Sequence, residues 1–393
     1  MNFQDLPIDI FERLRAIAED IYKNPELGFH EFHASELQKT LLKEWGFSIT
    51  ENISGLPTSF VAEKHFGTGD DPSFGLFTEF DALPELGHAC GHHLICVSGL
   101  AAAYLTMRRM EEAKASGKLV LFGTPGEERL GGKVQMETSG VFGQVEAAVI
   151  SHPYDVYSTD DGAYSVSRFR VKYHGRASHA AMAPQLGINA LDAVILLFNG
   201  IGLWRQQMNE LSRVHGIIVK GGDFPNIIPA ETEAFFYLRA PDVKTGIEME
   251  NRFRGIVAGA AEQTGCTYDC VLESAYAPCK INVPLNKAYA DILESQGISV
   301  IRAKGTEGRG STDFGNVSQI LPGANLHFGI CKEAGTPLHS VAFREAAGKP
   351  EAFEQAMVCG NAMSLIAFRY LTDAGFRNEV QADFQLHKNG EQQ

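Results

Sequence analysis

The sequence has few of the features that mark secreted, membrane-spanning or nucleic-acid-binding proteins. Its seven cysteines are odd in number and scattered, with no Cys-x-x-Cys pair, which is typical of reduced thiols rather than of a disulfide framework. No apolar run approaches the roughly 20 residues that span a bilayer. Residues 1–9 have neither the basic start nor the apolar centre of a signal peptide. We therefore expect a cytoplasmic protein.

Positive charge is also scarce. The chain carries 34 lysines and arginines against 48 aspartates and glutamates, which gives a formal net charge of −14 at pH 7. This balance argues against nucleic acid and against anionic membranes as partners. It is compatible with a neutral or cationic small substrate, although solubility alone explains the charge equally well.

What the sequence does contain is an alternation of helical and strand-like segments. At 393 residues the chain is long enough for two domains. The alternation predicts a largely parallel sheet with helices on both faces. The elements predicted for this part are helices at 9–22 and 34–45, a strand at 73–78, a helix at 94–110, and strands at 119–123 and 147–151.

The pattern changes near Val166. From there the predicted order is β-α-β-β-α-β, which is the ferredoxin-like split arrangement. The predicted elements are strand 167–173, helix 188–208, strands 216–220 and 233–239, helix 247–264 and strand 268–273. Mixed α/β character then returns, and a long closing helix is predicted at 351–371. The fold class is therefore α/β: a mostly parallel domain, 1–165 with 276–393, interrupted by an α+β domain at 166–275.

The run from Gly87 to His93 carries the first sign of chemistry. Cys90 and His92 lie two residues apart, directly before an apolar helix. A thiolate and an imidazole at one turn suit Zn²⁺ or Mn²⁺ better than Ca²⁺ or Mg²⁺. Alone, however, such a pair is more often packing than a metal site.

Side chains of similar type follow the other predicted strands. Strand 73–78 runs into Glu79 and Asp81, strand 119–123 runs towards Glu127-Glu128, and strand 147–151 runs into His152. In open α/β sheets, sites gather beyond the carboxyl ends of the strands. We therefore expect these side chains to meet at one edge of the sheet.

The Glu127-Glu128 pair has a further rationale. Neighbouring side chains on an extended segment point to opposite sides. One carboxylate could therefore bind a metal while the other moves a proton at the open position. Adjacent glutamates in a loop are usually just solvated, but Gly126, Gly131 and Gly132 leave this backbone free for close approach.

Taken together, these motifs resemble the zinc-dependent exopeptidase family of aminoacylases, glutamate carboxypeptidases and plant auxin-conjugate amidohydrolases. The resemblance runs from Asn24 to His339, and Cys90 points to the amidohydrolase branch, in particular to the β-alanyl-lysine (Xaa-Arg/Lys) dipeptidase and p-aminobenzoyl-glutamate hydrolase group. The matching motifs are Asp81-Ala82-Leu83-Pro84, His88-Ala89-Cys90-Gly91-His92, Gly123-Thr124-Pro125 with Glu127-Glu128, His152-Pro153, Gly175-x-x-x-His179-Ala180, Pro225-Asn226-Ile227-Ile228-Pro229, Ser311-Thr312-Asp313 and Leu338-His339-Ser340.

The resemblance implies a dinuclear metal centre, with zinc or manganese as the native ions and cobalt as an in vitro substitute. It makes Glu127 the general base and Asp81 a residue that orients a ligand. The implied metal ligands are Cys90, His92, Glu128, His152 and His339.

The resemblance also implies that the inserted domain is a lid that forms a homodimer. His179 would reach the partner's active site and polarise the scissile carbonyl, and Asn226 and Arg239 would hold the substrate, Arg239 through a terminal carboxylate. From the residues alone, His179 could be a surface histidine, Arg239 a structural ion pair and Asn226 a turn residue.

Two positions depart from the family pattern. His93 stands where Asp is commoner, which affects the contacts that orient the ligands. Tyr237 stands where many relatives have an acidic residue, which affects the role of Arg239.

The function expected is hydrolysis of the amide bond of a small dipeptide or N-acyl amino acid. Alternatives are hydrolysis of p-aminobenzoyl-glutamate or aromatic N-acyl conjugates, and a catalytically retired protein that only binds. A serine nucleophile is disfavoured because no Gly-x-Ser-x-Gly elbow is present. The glycines of residues 305–310 lack nucleotide-binding spacing and are interpreted as a loop.

Overall fold

The chain forms two compact units in the computed structural model, which describes residues 6–67, 71–160, 162–303 and 310–390. The first unit contains the segment that ends at Gly162 and most of the chain from Cys279 onwards. The second consists of Ala163–Pro278 and the short described segment 310–312. The inserted domain predicted at 166–275 lies within this second unit. Residues 305–309 of the predicted glycine loop lie outside the described residues.

The strands in the described residues are β1 (Ser48–Glu51), β2 (Phe60–Phe66), β3 (Ser73–Thr78), β4 (Gly117–Gly123), β5 (Ala147–Tyr154), β6 (Ser165–His174), β7 (Arg213–Lys220), β8 (Glu231–Ala240), β9 (Thr267–Tyr276) and β10 (Gly323–Gly329). The helices are α1 (Ile8–Lys23), α2 (Phe32–Glu44), α3 (His92–Ala113), α4 (Gly132–Glu137), α5 (Ala190–Trp204), α6 (Val243–Thr264), α7 (Val283–Ser295), α8 (Phe314–Ile320), α9 (Val341–Ala347), α10 (Pro350–Thr372) and α11 (Ala374–Gly390).

The first unit is built on a sheet with the order β1-β2-β4-β3-β5-β10. Strands β4, β3, β5 and β10 pair in parallel, whereas β1 and β2 form an antiparallel edge. All six residues of β3 are buried, as expected of a central strand covered on both faces. The prediction of a mostly parallel central sheet flanked by helices is confirmed.

Helix α3 is the central helix of this unit. It is apolar on almost every side, and most of its residues, from His92 to Met110, are buried. A helix without a polar face belongs in a core rather than on a surface. Its packing between the sheet and α10 fixes the position of its N-terminal end, where the Cys90/His92 turn lies.

The second unit has the β-α-β-β-α-β order that the sequence predicts. Its antiparallel sheet has the order β7-β8-β6-β9, and α5 and α6 pack against it around a separate apolar core. Strand β8 alternates strictly between buried and half-buried side chains, which is typical of a sheet with one face on a core.

Two sequence-based expectations are wrong in detail. The helix predicted at 351–371 corresponds to α10 but does not close the chain, because α11 follows after a break at Asp373. Strand β5 continues past residue 151 to Tyr154, so His152 lies within the strand and pairs with His327 of β10. No helix in the described part of the chain is long and apolar enough to span a membrane.

Candidate metal centre

The predicted convergence of side chains at one sheet edge is present in the first unit. Strands β4, β3 and β5 are adjacent and parallel, so their carboxyl ends lie side by side. Glu79 and Asp81 follow β3, Glu127 and Glu128 follow β4, and His152 lies near the end of β5.

The turn before α3 brings Cys90 and His92 to this edge. Gly91 between them has a φ of 75°, in the left-handed region that favours glycine. A Cβ atom at this position would lie 2.5 Å from Cγ of Pro153. The turn therefore requires glycine for both its backbone conformation and its close contact with β5.

Two groups of donor atoms that share no residue form at the edge, each with its atoms within 4.8 Å of one another, and a third group, His92 with Glu127 and Glu128, joins them. We call the first the thiolate cluster and the second the imidazole cluster. The thiolate cluster contains Cys90, Glu128 and His339. The imidazole cluster contains Glu79, His92 and His152. All five predicted metal ligands thus lie in these clusters, together with Glu79, which the sequence analysis did not assign.

Asp81 links the two clusters. Nδ1 of His92 donates to Oδ1 of Asp81 at 2.8 Å, and the backbone N–H of Glu128 donates to Oδ2 at 3.0 Å. A proton on Nδ1 leaves Nε2 as the ring atom that can bind a metal. Asp81 therefore orients the ring of His92 in one cluster and holds the backbone of Glu128 in the other.

His152 is oriented in the same way by a residue on the neighbouring strand. Its Nδ1 lies 2.7 Å from Oδ1 of Asn325 in β10, while its Nε2 lies 3.1 Å from Oε2 of Glu79. Because the Asn325 carbonyl oxygen can only accept, the Nδ1 atom carries the proton and Nε2 faces the cluster.

The Glu127-Glu128 pair does not lie on an extended segment, so that premise is wrong. Both residues belong to a turn that starts after Gly126, and both carboxylates have an oxygen within 4.8 Å of the cluster atom of His92. The turn is held by Glu31, whose buried carboxylate accepts from the backbone N–H of Gly126 at 2.8 Å. Gly126 has a φ of 66°, and a Cβ there would meet the ring of Phe29 at 2.7 Å.

The electrostatics of the edge favour a bound cation. Burial and the neighbouring carboxylate of Glu128 raise the pKa of Glu127 well above its ordinary value. The Cys90 and Glu128 side chains raise the pKa of His339 to about 11. Each shift reflects acidic groups gathered in a small, largely buried volume, where positive charge is stabilised.

A buried chain of charges lies behind the imidazole cluster. The Lys133 ammonium donates to Oε1 of Glu79 and, at 2.7 Å, to Oδ1 of Asp313. The backbone N–H of Lys133 also donates to Oδ2 of Asp313 at 2.9 Å. All three side chains are completely buried. Burial opposes ionisation of Glu79, but Lys133 and His152 hold the pKa of this carboxyl below its ordinary value.

His93, which departs from the family pattern, plays no part in orienting the ligands. Its Nε2 lies 3.1 Å from the backbone oxygen of Ala347, and its ring packs against the rings of Tyr22 and His88. Burial lowers the pKa of His93 to about 3, so the ring is neutral. Asp81 instead accepts the hydrogen bonds from the His92 ring and from the Glu128 backbone.

In the second unit, His179 and Asn226 lie on neighbouring stretches of backbone. Residues His179 and Ile227 form an antiparallel bridge, and the N–H of Ala180 donates to the backbone oxygen of Asn226 at 3.0 Å. Both side chains are exposed. Nδ1 of His179 accepts from the backbone N–H groups of Ala181 and Met182, each at 3.2 Å, which leaves its Nε2 as the protonated, donating atom.

Arg239 is held in the same unit by neutral partners. It donates to the hydroxyl of Ser311 at 2.8 Å and to Nε2 of His215 at 3.2 Å. Within the described residues it has no carboxylate partner, so the structural ion pair considered above is not formed. The guanidinium carbon of Arg239 lies 5.9 Å from the centre of the Tyr237 ring, an aromatic contact that does not neutralise its charge.

Glu79 was expected at the sheet edge but was not assigned as a ligand, and the contacts of Lys133, Glu31 and Asn325 were not predicted. Glu79 follows a strand just as Asp81 does, and this position was a usable signal. Lys133 and Asp313 lie 180 positions apart, so no spacing could have paired them. Glu31 directly precedes α2 and lies 95 positions from Gly126, so no local spacing could have linked it to the turn.

Similarity to known proteins agrees with this geometry. The peptidase dimerisation domain matches residues 162–265. The chain is 34% identical to human Xaa-Arg dipeptidase over 97% of its own length and 91% of that protein. It is 29% identical to one of the subunits of the p-aminobenzoyl-glutamate hydrolase of Escherichia coli strain K12, over 95% and 92% of the two chains.

A solved structure from Bacillus subtilis, described as a dinuclear metal binding peptidase from the M20 family, superposes with a TM-score of 0.67. It is 21% identical to this chain and covers 92% of it and 99% of its own length. With relatives of this identity along nearly the whole chain, the protein belongs to the M20 family of peptidases and amidohydrolases and is a hydrolase of amide bonds.

Proposed function

We propose that this protein is a dinuclear metal-dependent dipeptidase that cleaves the peptide bond of small dipeptides. The observation that carries the proposal is the pair of donor clusters that flank Glu127 at the sheet edge. The proposed ligands are Cys90, His92, Glu128, His152 and His339.

The donor atoms fit two divalent transition-metal ions. A thiolate, a carboxylate and an imidazole form a set suited to Zn²⁺, and imidazole with carboxylate suits Zn²⁺ or Mn²⁺. Nε2 of His92 is buried and has no hydrogen-bond partner among the described residues. Bound ions would supply Lewis acidity towards the amide carbonyl and would lower the pKa of water.

Glu127 is the proposed general base. Its side chain is buried beside both clusters, and its neighbour Glu128 is held by Asp81 through the backbone. In this position the carboxylate can accept a proton from the attacking water and then donate it to the nitrogen of the leaving amine. Without this transfer the amine would leave as an unstable anion.

The second unit supplies the proposed contacts to the substrate. The free Nε2–H of His179 is a donor for the scissile carbonyl oxygen, and the side chain of Asn226 is a neighbouring polar contact. Arg239, whose charge has no carboxylate partner in the described residues, is suited to a terminal carboxylate. The human relative is named for dipeptides that end in arginine, and this chain's net charge of −14 is compatible with a cationic substrate.

A homodimer through the second unit is part of the proposal. Strand β7 is an edge strand of its sheet, and its apolar side chains Ile217, Ile218 and Val219 are between 46% and 63% exposed. An exposed, apolar sheet edge is a ready surface for pairing with a second copy. A cytoplasmic location is also proposed, on the basis of seven free cysteine thiols.

Hydrolysis of an amide panel tests the function. The protein is loaded with Zn²⁺, Mn²⁺ or Co²⁺ and offered β-alanyl-lysine, Xaa-Arg dipeptides, N-acetyl amino acids, p-aminobenzoyl-glutamate and aromatic acyl conjugates. Glu127→Gln serves as the blank. Glu112→Gln, on the exposed part of α3, is the matched control. Dipeptides ending in Arg or Lys should be cleaved fastest, by the wild type and the control alike.

Other outcomes separate the alternatives. Preference for p-aminobenzoyl-glutamate would favour the activity for which the Escherichia coli relative is named. No cleavage of any amide by protein that holds two metal ions would contradict the proposal and favour a catalytically retired protein that only binds.

A further inference from the structure

Glu79 is a completely buried carboxylate whose two oxygens have different surroundings. Oε1 accepts from the Lys133 ammonium, while Oε2 faces the imidazole cluster, 3.1 Å from Nε2 of His152 and 3.5 Å from Nε2 of His92. Both Oε2 of Glu79 and Nε2 of His92 are buried atoms without a hydrogen-bond partner among the described residues. Burying such atoms without partners is costly, so their convergence points to a common ligand.

We propose that Glu79 is a metal ligand of the imidazole cluster, and that Lys133 and Asp313 are positioning residues that hold its carboxylate in place. This inference rests on the proposed function, since it concerns the same metal centre. It gives the imidazole cluster the three protein ligands that a transition-metal site with open positions requires.

The charges of the buried chain support this assignment. When all three groups are ionised, the positive charge of Lys133 and the two negative charges of Glu79 and Asp313 leave the buried chain with a net charge of −1. The two histidines are neutral when they bind a metal through Nε2. With both rings neutral, this negative charge has no compensation among these five side chains, and a cation bound between Glu79, His92 and His152 would supply it.

A purely structural ion pair explains the geometry less well. Lys133 already has Asp313 as a partner, contacted through both its ammonium and its backbone N–H. A second carboxylate is not needed to neutralise the lysine. The Lys133 contact instead fixes the rotation of the Glu79 carboxylate, so that Oε2 is directed at the two histidines.

The two clusters would then differ in their donor chemistry. The thiolate cluster has a sulfur ligand, whereas the imidazole cluster has two nitrogens and a carboxylate oxygen. A cobalt ion in the thiolate cluster gives a sulfur-to-metal charge-transfer absorption that an ion in the imidazole cluster lacks. The two ions can therefore be followed separately, without measuring activity.

The test measures metal binding by the full-length protein after removal of metal. Zn²⁺ and Co²⁺ are titrated against a chromophoric chelator, and the bound ions are counted by elemental analysis. The variants are Glu79→Gln, which leaves Lys133 and Asp313 as a neutral pair, and Lys133→Met with Asp313→Asn, which keeps the net buried charge of the wild type. Glu112→Gln is the control, and melting temperatures report on folding.

The wild type should bind two ions. Glu79→Gln should keep the charge-transfer band but bind the second ion more weakly, by more than the roughly 10–100-fold that loss of a ligand's partner causes. Lys133→Met with Asp313→Asn should weaken the same ion by about 10–100-fold. This effect should disappear when Glu79→Gln is also present, because the pair acts only through Glu79.

The results that would contradict the assignment of Glu79 differ from the result that would contradict the proposed function. Two ions bound by Glu79→Gln with wild-type affinities, and only a lower melting temperature, would make Glu79 a structural residue and overturn the inference. A wild type that binds one ion, with the charge-transfer band, would overturn the assignment of Glu79 while leaving a mononuclear hydrolase. A wild type that binds no ion would overturn both this inference and the proposed function.

Discussion

The candidate residues of the two units differ in burial and in the contacts that hold them. In the first unit, Asp81, His92 and Glu127 are buried, and hydrogen bonds fix the orientation of His92 and the position of the turn that holds the glutamate pair. In the second unit, His179 and Asn226 are exposed and are fixed mainly through the backbone.

This difference indicates that the two units have different roles. A buried, pre-oriented set of donors can hold a metal ion without further rearrangement, which lowers the cost of binding. An exposed donor such as Nε2 of His179 is available to a ligand that arrives later. The first unit is therefore expected to govern metal binding and proton transfer, and the second to govern contacts with the substrate.

Among the variants that test this division of roles between the two units, loss of the general base should have the largest effect. Glu127→Gln should lower kcat by about 10²–10⁴-fold, because no carboxylate can then move the proton to the leaving amine. Metal content, measured by elemental analysis, should stay the same, since all the proposed ligands, Glu79 included, are intact. Full activity in this variant would contradict the role of Glu127.

Loss of His179 should have the next largest effect. His179→Ala removes the proposed donor to the carbonyl oxygen and should lower kcat by about 10²–10³-fold with metal binding unchanged. Circular dichroism checks that the second unit remains folded.

Mixed dimers sharpen this prediction. When His179→Ala and Glu127→Gln protomers are combined, one site of each mixed dimer regains both residues if His179 acts across the dimer. Recovery of up to half the wild-type activity per mixed dimer is then expected. Inactive mixed dimers would show that His179 serves its own protomer.

A smaller effect is expected for the residue that orients the ligands. Asp81→Asn keeps the size of the side chain but weakens its acceptance of the His92 Nδ1–H bond, and should lower metal affinity by about 10–100-fold. Titration against a chelator measures the change. An unchanged affinity would show that burial alone orients His92.

The smallest effect is expected in the second unit. Arg239→Lys keeps the positive charge but loses the planar pair of donors, so KM for dipeptides should rise by about 10-fold with little change in kcat. Substrates with a blocked terminal carboxylate serve as the control and should show no difference between the variant and the wild type. An equal loss for both would argue against contact with the carboxylate.

The sequence predicted best what depends on local pattern. The strand at 73–78 coincides with β3, and the helices at 9–22 and 94–110 lie within α1 and α3, because α1 has a clear apolar spacing and α3 is a long apolar stretch. The helix predicted to close the chain is followed by α11, which was not predicted. The outer edge of the first sheet, β1 and β2, was not predicted.

The site was predicted to the extent that its residues lie in recognisable motifs. Cys90, His92 and Glu128 belong to such motifs, and the structure brings them together. Glu79 was expected at the sheet edge but was not assigned as a ligand, and Lys133 was not predicted because its contacts with Glu79 and Asp313 join segments that are distant in the chain. The glutamate pair was expected near the metal ligands because it was assumed to lie on an extended segment. It lies in a turn instead.

Titration of metal-free protein with Zn²⁺, while hydrolysis of a Xaa-Arg dipeptide is followed, tests the central claim most directly. The two clusters predict negligible activity without metal and full activity when two ions are bound per chain, with Glu127→Gln inactive throughout. Hydrolysis that persists after metal removal, or none in protein that holds two ions, would contradict the account.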